Sequence, residues 1–519
     1  MRARLFWPPD EGRQSRLNLA DRPLHPGPHS SPGSMEVTLV ALGEKGFEVE
    51  LPQGVSGPVW GISADPTVSP MGHGSVPAGD LTSPGEYNQL APRATLRVAF
   101  ESQKKFDFSV VAMPSVSAHI PEQSAETRRV YLATDDREAM HDLLTLIRKE
   151  QHITLCATTD VEAKDRDRGL EHVYLVPCTL PEISWDEISI KREFLGRTFS
   201  APLCITGMTG GLEKGATINR NLAVVAEKLG LPMGVGSQRI ALEHPEHAAI
   251  FNVKKDAPGV FLIGNLGIAQ LVGVSVDKAC DQARKAVDMI EADALAIHAN
   301  VLQEAVQVEG DRHFRGVYSC LEALIPKLGV PVILKEVGVG VDLETARRLM
   351  DLGVAAIDVG GKGGTSWSYI EGLRSQNPHT RQLGQTFRDF GIPTGVALTL
   401  IDRERRRRQS SVALVATGGI RNGMQVAQCV GLGADLCGIG LPLLKAALVG
   451  AEAVQETLEA LIHGLKTTML VTASRNLDQL KTRVRLGRPL VEELSCWTLS
   501  DGFSESHIHL DRTMPQEGY

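Results

Sequence analysis

Eight short apolar runs recur between residues 201 and 439, each closed by a polar or glycine-rich turn and followed by a helical stretch. They lie at 201–206, 233–235, 261–265, 294–298, 332–336, 355–359, 412–417 and 436–439, with amphipathic segments such as 277–290 and 343–350 between them. Continuous apolar runs suit strands covered on both faces, and strand–helix repetition builds a parallel sheet. Eight units in about 250 residues predict a closed (β/α)8 barrel, the TIM-barrel architecture of the α/β class. An open doubly wound sheet is the alternative. It would normally carry GxGxxG after its first strand, and none stands there.

The barrel leaves long ends. More than half of the 28 prolines precede residue 125, the first cysteine is Cys156, and stretches such as HPGPHSSPGS fill the start. That composition disfavours helices and buries little surface, so residues 1–35 read as disordered. MEVTLVAL, GFEVELP and TLRVAFES alternate apolar and polar residues as short strands do. Residues 1–139 therefore form a low-complexity, partly disordered extension. Three readings of it stay open: a small β module, a largely unstructured leader, or a stretch preceding a natural start at Met140. The barrel domain is expected over 140–488 and a C-terminal tail over 489–519. Inside the barrel, the polar insertion 375–391 reads as a lid or surface loop. The five arginines of 403–408 read as a solvated helix face or oligomer contact rather than an anion site.

A net charge of -8 and an aromatic content of 5% argue against nucleic-acid partners, which need basic and stacking surfaces. No apolar run reaches the roughly 18 residues of a membrane span. The start, MRARLFWPPDEGR, is too short in apolar residues for a signal peptide. The eight cysteines form no CxxC pair, and several sit in apolar runs, which fits buried, reduced thiols in the cytoplasm.

In such a barrel the carboxyl ends of the strands share one face, so their residues pool into a site. The first run ends in Thr206-Gly207-Met208-Thr209, the second leads to Ser237 and Arg239, and the third ends at Asn265. The fourth delivers His298, Asn300, Gln303 and Glu304, although this cluster taken alone reads equally well as a helix cap. Lys335 closes the fifth and Thr365 lies in the sixth loop, while Gly418-Gly419 and Ile439-Gly440 end the seventh and eighth. Glycine turns at the sixth, seventh and eighth ends suit a phosphate cradled by backbone N–H groups. A lysine at the barrel centre is costly unless it faces an anion. A flat ligand with a phosphate tail and an electron-rich edge, flavin mononucleotide (FMN), meets both demands. A Schiff-base lysine is the competitor; it explains Lys335 but not the glycine turns.

Ten motifs follow one another in order: Arg148-Lys149-x-x-His152, MTGG at 208–211, GSQR at 236–239, NLG at 265–267, HxNxxQE at 298–304, KEVG at 335–338, GGTSW at 363–367, GIPT at 391–394, GGIRNG at 418–423 and SRN at 474–476. In them the chain resembles the type 2, flavin-dependent isopentenyl-diphosphate isomerases, over roughly residues 147–483. The resemblance implies that Thr206, Gly207, Met208, Thr209, Ser237, Asn265, Lys335, Thr365, Gly418, Gly419, Ile439 and Gly440 hold FMN. Arg148, Lys149, His152, Arg239 and Gln303 would hold a small diphosphate substrate, and Glu304 a magnesium ion. Gln303, His298 and Asn300 would be catalytic, with His152 and His298 supporting the diphosphate and Asn300 and Gln303 facing the isoprene end. The implied reaction is a 1,3-allylic proton shift between isopentenyl and dimethylallyl diphosphate, a step of isoprenoid biosynthesis. The implied cofactor state is reduced FMN with NADPH as reductant, and the implied assembly is a homo-oligomer, a tetramer or larger.

Two positions depart from the family pattern: Val301 stands where proline is usual, and Gly360 where serine or alanine is frequent. An FMN-dependent α-hydroxy-acid oxidase or dehydrogenase is the main alternative. It needs a histidine-glycine-glycine base beside an arginine, whereas the sixth loop reads GGKGG. A nucleotide dehydrogenase of this barrel class would need a cysteine on that loop, which has none. A flavin-binding scaffold without activity is disfavoured by the retention of Arg148, Lys149, Gln303 and Glu304.

Overall fold

The computed structural model describes residues 2–6, 34–41, 47–50, 95–99, 105–111, 129–133 and 137–497, apart from 211, 212 and 376, with side chains described over most of 145–497. The first six strands are β1 (Arg2–Phe6), β2 (Ser34–Ala41), β3 (Phe47–Glu50), β4 (Thr95–Ala99), β5 (Lys105–Val111) and β6 (Arg129–Ala133). They form an antiparallel ring in the order β1-β2-β3-β6-β5-β4, closed by β4 on β1. The register sets Leu5 opposite Met35 and Val98, Leu39 opposite Val49, and Leu132 opposite Phe47 and Val110. Closure removes the exposed edges that a small open sheet would leave.

The three expected strands of the extension are present, joined by β1, β5 and β6. Within the stretch expected as disordered, Arg2–Phe6 is a strand whose partners lie at least 28 residues away in sequence, at β2 and β4. Local composition carries no signal of such distant pairing. Residues 7–33 lie outside the described residues.

A helix over Arg137–Thr158 then leads to β7 (Val173–Leu175) and the hairpin β8 (Arg192–Phe194) and β9 (Arg197–Phe199). Eight parallel strands follow: β10 (Leu203–Ile205), β11 (Pro232–Gly234), β12 (Phe261–Gly267), β13 (Ala294–Ala299), β14 (Val332–Glu336), β15 (Ala356–Asp358), β16 (Ala413–Ala416) and β17 (Leu436–Ile439). They pair in sequence order, and β17 closes on β10 with Leu203 opposite Cys437. The (β/α)8 barrel is thus observed, with every expected strand within a few residues of its place. A last strand, β18 (Val484–Leu486), pairs with β7.

The strands face apolar groups on both sides. Helices cover the outside, while Phe194, Phe199, Phe261, Ile263 and Ile333 pack together inside the ring. The β8–β9 hairpin closes the amino-terminal end, where Phe199 and Phe261 meet edge to face at 5.4 Å.

Other expectations need correction. The insertion 375–391 is not an irregular loop: Pro378–Thr386 is a helix, begun by Pro378 and by the Asn377 side chain accepting the His379 N–H at 2.8 Å. It packs on the helix Trp367–Arg374, where a Cβ on Gly372 would come within 2.9 Å of the Gly384 Cα. The polar sequence hid this glycine seam. The arginine run is a partly solvated helix face, with Arg406 and Arg407 exposed, that is held in place by carboxylates. Asp402 receives Arg405 and Arg406, Glu404 receives Arg407 and Arg408, and Asp435 receives Arg405 and Arg192. The helix Arg137–Thr158 precedes the barrel, and the helix Arg488–Cys496 follows it, with Leu490 and Leu494 buried. All eight cysteines are free thiols, six of them buried. Among the described residues no helix is long and apolar enough to cross a membrane.

Candidate active site

A cavity of about 260 Å³ opens at the carboxyl ends of the barrel strands. It gathers Arg148, Lys149 and His152 from the helix Arg137–Thr158 with Thr206, Gly207, Met208, Thr209, Ser237, Arg239 and Asn265. From the later strand ends it takes His298, Asn300, Gln303, Glu304, Lys335, Thr365, Gly418, Gly419 and Gly440. Ile439 is the exception. Its side chain is buried away from the cavity, and it contributes its carbonyl, which accepts the Thr206 N–H at 3.1 Å. The Ile439 side chain lies off the cavity because a strand's side chains alternate between faces.

The floor is built from strand ends. Asn265 donates from Nδ2 to the Val235 carbonyl at 3.0 Å, which leaves its Oδ1 facing His298 Nδ1 at 2.7 Å. That network assigns the proton to Nδ1 and leaves Nε2 as an acceptor. Burial first, and Lys335 second, push the His298 pKa down to about 4, so the ring is neutral near pH 7. Lys335 is the register partner of His298 on one side and Asp358 on the other. Its Nζ donates to Asp358 Oδ2 at 2.8 Å. The anion that the sequence demanded for this lysine is therefore supplied by the chain itself.

The seventh-strand turn needs its glycines. Gly418 and Gly419 have φ of +115° and +77°, a region that side-chain-bearing residues rarely enter. Arg168 clamps this turn from Nε to the Gly419 carbonyl at 2.7 Å. Gly440 opens the helix Leu441–Val449 at the next strand end. The departure at Gly360 also has a local cause, since its φ is +49° against the Glu336 backbone.

The wall is polar and organised by a residue that sequence reading missed. Glu371, 1% exposed, accepts from Gln303 Nε2 at 2.9 Å and Arg374 Nη1 at 2.7 Å, and faces His152 Nε2 at 2.9 Å. Gln307, with its amide nitrogen turned to Glu371 at 3.3 Å, accepts from Arg148 Nη1 at 2.8 Å. Burial alone pushes the Glu371 carboxyl up; the His152 ring, the Arg374 guanidinium and the Gln303 amide overcome it and hold it at about 2. Gln307 was legible as one helical turn beyond Gln303. Glu371, on a helix 68 residues away, had no local signal.

Asn300 heads the helix Val301–Val306 but makes no side-chain cap bond, so the cluster is not a helix cap. It donates to Glu304 Oε1 at 2.9 Å, and the Asp311 N–H donates to Glu304 Oε2 at 2.9 Å. Burial raises the Glu304 carboxyl pKa against these bonds. Within the one cavity His298 is thus bonded to Asn265, and Asn300 to Glu304. The Lys149 ammonium is buried and makes no hydrogen bond. Burial, then Arg148, lower its pKa to about 7, with the Phe251 ring centroid 5.7 Å away.

Residues 267–486 match the family described as FMN-dependent dehydrogenase. The isopentenyl-diphosphate delta-isomerase of Nostoc sp. is 43% identical over 337 residues, covering 65% of this chain and 94% of that protein. The isomerase of Thermococcus onnurineus is 43% identical, covering 65% and 90%, and that of Vibrio parahaemolyticus 41%, covering 65% and 98%. The chain belongs to the type 2 isopentenyl-diphosphate delta-isomerases. It is an FMN enzyme, and residues aligned over almost the whole of these relatives form its barrel and cleft.

Proposed function

We propose that the enzyme interconverts isopentenyl and dimethylallyl diphosphate by a 1,3-allylic proton shift, with reduced FMN and Mg²⁺ in this cleft. Lys149 carries the reading: a buried ammonium without an acceptor, lining one cavity with Arg148, Arg239 and the glycine turns. An unsatisfied buried donor costs roughly 1–3 kcal/mol, and more when charged. A diphosphate oxygen beside it relieves that cost, and two guanidiniums add charge-assisted bonds.

The donor set fits both partners of the substrate. For FMN, Gly418-Gly419 and Gly440 offer a turn and a helix start for the phosphate, while Thr206, Ser237, Asn265 and Thr365 offer neutral groups around Lys335. For the metal, no group of three or more histidine, cysteine or acidic residues clusters among the described residues. Mg²⁺ needs no such cage, because it commonly takes one or two carboxylates and completes its shell with phosphate oxygens and water. Glu304 supplies the carboxylate, and a cation there reverses the burial that raises its pKa.

When bound, reduced FMN supplies negative charge and a proton-exchanging nitrogen next to the alkene carbons. The protein does the rest. Lys335 holds the cofactor's anionic edge; Arg148, Lys149 and Arg239 fix the diphosphate. Gln303, oriented by Glu371, positions the alkene, and neutral His298 offers an acceptor without competing for the phosphate charge. NADPH as reductant, a cytoplasmic location and a homo-oligomer of four or more chains belong to the same reading by family resemblance.

An α-hydroxy-acid oxidase would need a basic imidazole on the sixth or seventh loop, and among the described residues the cavity is lined by His152 and His298 alone. The test offers isopentenyl diphosphate to the full-length FMN-loaded protein, oxidised or anaerobically reduced, with Mg²⁺ or a chelator. The reading expects isomerisation only in the reduced, Mg²⁺-containing sample. Oxidation of a 2-hydroxy acid without isomerisation would replace it with the oxidase reading.

A further inference from the structure

Lys335 does not meet the cleft as a lone cation. Asp358, at the end of the neighbouring strand, takes its ammonium at 2.8 Å, with side-chain exposures of 12% and 7%. The carboxylate is itself fixed: its Oδ1 accepts the Thr417 hydroxyl from the next strand end and the Gly360 N–H at 3.3 Å. Gly360 N also donates to Thr417 Oγ1 at 3.1 Å, which ties three consecutive strand ends into one unit. Lys335 gives a second bond to the Glu336 carbonyl at 3.2 Å. Lys335 also lines the cleft, and beneath it a second, smaller cavity of about 30 Å³ inside the barrel is lined by Lys335, Asp358, Thr417 and Asn265. That volume exceeds the roughly 10–15 Å³ needed for a water, and the walls provide polar partners.

We propose that Asp358 is a positioning and charge-balancing residue that sets how much of the Lys335 charge the bound flavin feels, and so tunes its reduction potential. A lone buried ammonium would favour the anionic reduced cofactor strongly. Paired at hydrogen-bond distance with a carboxylate, it presents the cleft with a dipole whose field falls off faster than that of a single charge. The Thr417 and Gly360 bonds hold the carboxylate in place whether or not Lys335 also engages the cofactor. The proposal rests on the reading that FMN lies against Lys335.

The experiment uses the full-length FMN-loaded protein and an anaerobic titration against reference dyes. Asp358→Asn and Asp358→Ser are both made, so that one misfolded chain does not end the test, beside Lys335→Gln. In either Asp358 variant the account expects FMN to be retained and the reduced form to bind at least tenfold more tightly relative to the oxidised form. For a two-electron couple that is a rise of about 30 mV. Lys335→Gln should move the potential the opposite way. An unchanged potential in both Asp358 variants, with Lys335→Gln shifted, overturns the role of Asp358 and leaves the flavin reading standing. An unchanged potential in Lys335→Gln removes Lys335 from the flavin, and the proposal with it.

Discussion

The two ends of the barrel are built from the same eight strands and differ in whether their unmatched buried groups face a cavity. At the amino-terminal end a hairpin drives Phe194 and Phe199 into the ring, and Asp435 is shared by Arg192 and Arg405 on either side, with Arg192 Nε buried and unpartnered but away from the cleft. At the carboxyl end, the Lys149 ammonium and the Asn300 side-chain Oδ1 are buried without hydrogen-bond partners, in a cavity lined by polar groups. The closed end spends its residues on stability; the open end tolerates destabilising groups because a ligand completes them. Unsatisfied polar atoms deserve such an explanation wherever they occur in a native fold.

The contrast breaks most readily at Gln303. Gln303→Ala should lower kcat by about 10²–10⁴-fold, the range of a lost acid–base or positioning group, with FMN content unchanged. Normal turnover in that variant would take Gln303 out of the reaction. At the closed end, Phe199→Ala should destabilise the fold by about 3–5 kcal/mol in denaturant titrations, while the folded fraction keeps its kcat. A loss of kcat without a loss of stability would show that the two ends are not separable in this way.

Lys149→Met sharpens the comparison because the two effects have opposite signs. Removing an unmatched buried ammonium should stabilise the substrate-free protein by about 1 kcal/mol or more, read as a raised Tm. The same change should raise KM for the diphosphate by about tenfold or more. In the unaltered enzyme kcat/KM should fall as pH rises through about 7, where the free-enzyme Lys149 loses its proton, and this limb should vanish in Lys149→Met. A Tm that drops would mean that Lys149 is matched in solution.

A further effect is in acid. The Glu371 carboxyl is held at about 2 against an ordinary 4.5, so its contribution is complete above the unfolded value and disappears as pH falls through the folded one. Glu371→Gln should flatten the loss of stability between about pH 4.5 and 2. An acid limb identical to that of the unaltered protein would contradict the charge network drawn around it.

The barrel was legible because its strands are continuous apolar runs with turn chemistry at regular intervals, signals that reside in adjacent residues. The same holds for the strand-end polar groups, whose common face follows from strand direction alone. What escaped was set by pairing across the fold. Glu371 meets Gln303 from another helix, and Asp358 meets Lys335 across neighbouring strands; neither shows why it matters in its own sequence. The Arg2–Phe6 strand and the Gly372–Gly384 helix seam were hidden for the same reason, since polar or proline-rich surroundings mask a contact made with distant residues.

The central claim is that cofactor and diphosphate share one cleft, and the optical spectrum of the flavin reports on it directly. Isopentenyl diphosphate is titrated into the reduced FMN-loaded enzyme with Mg²⁺, and the initial absorbance and fluorescence changes are followed in parallel with Lys149→Met. The account predicts a saturable change in the unaltered enzyme, abolished by chelating Mg²⁺ and displaced to at least tenfold higher concentration in Lys149→Met, with equal FMN content in both. A flavin spectrum indifferent to the diphosphate, or equally responsive in the two proteins, would contradict it.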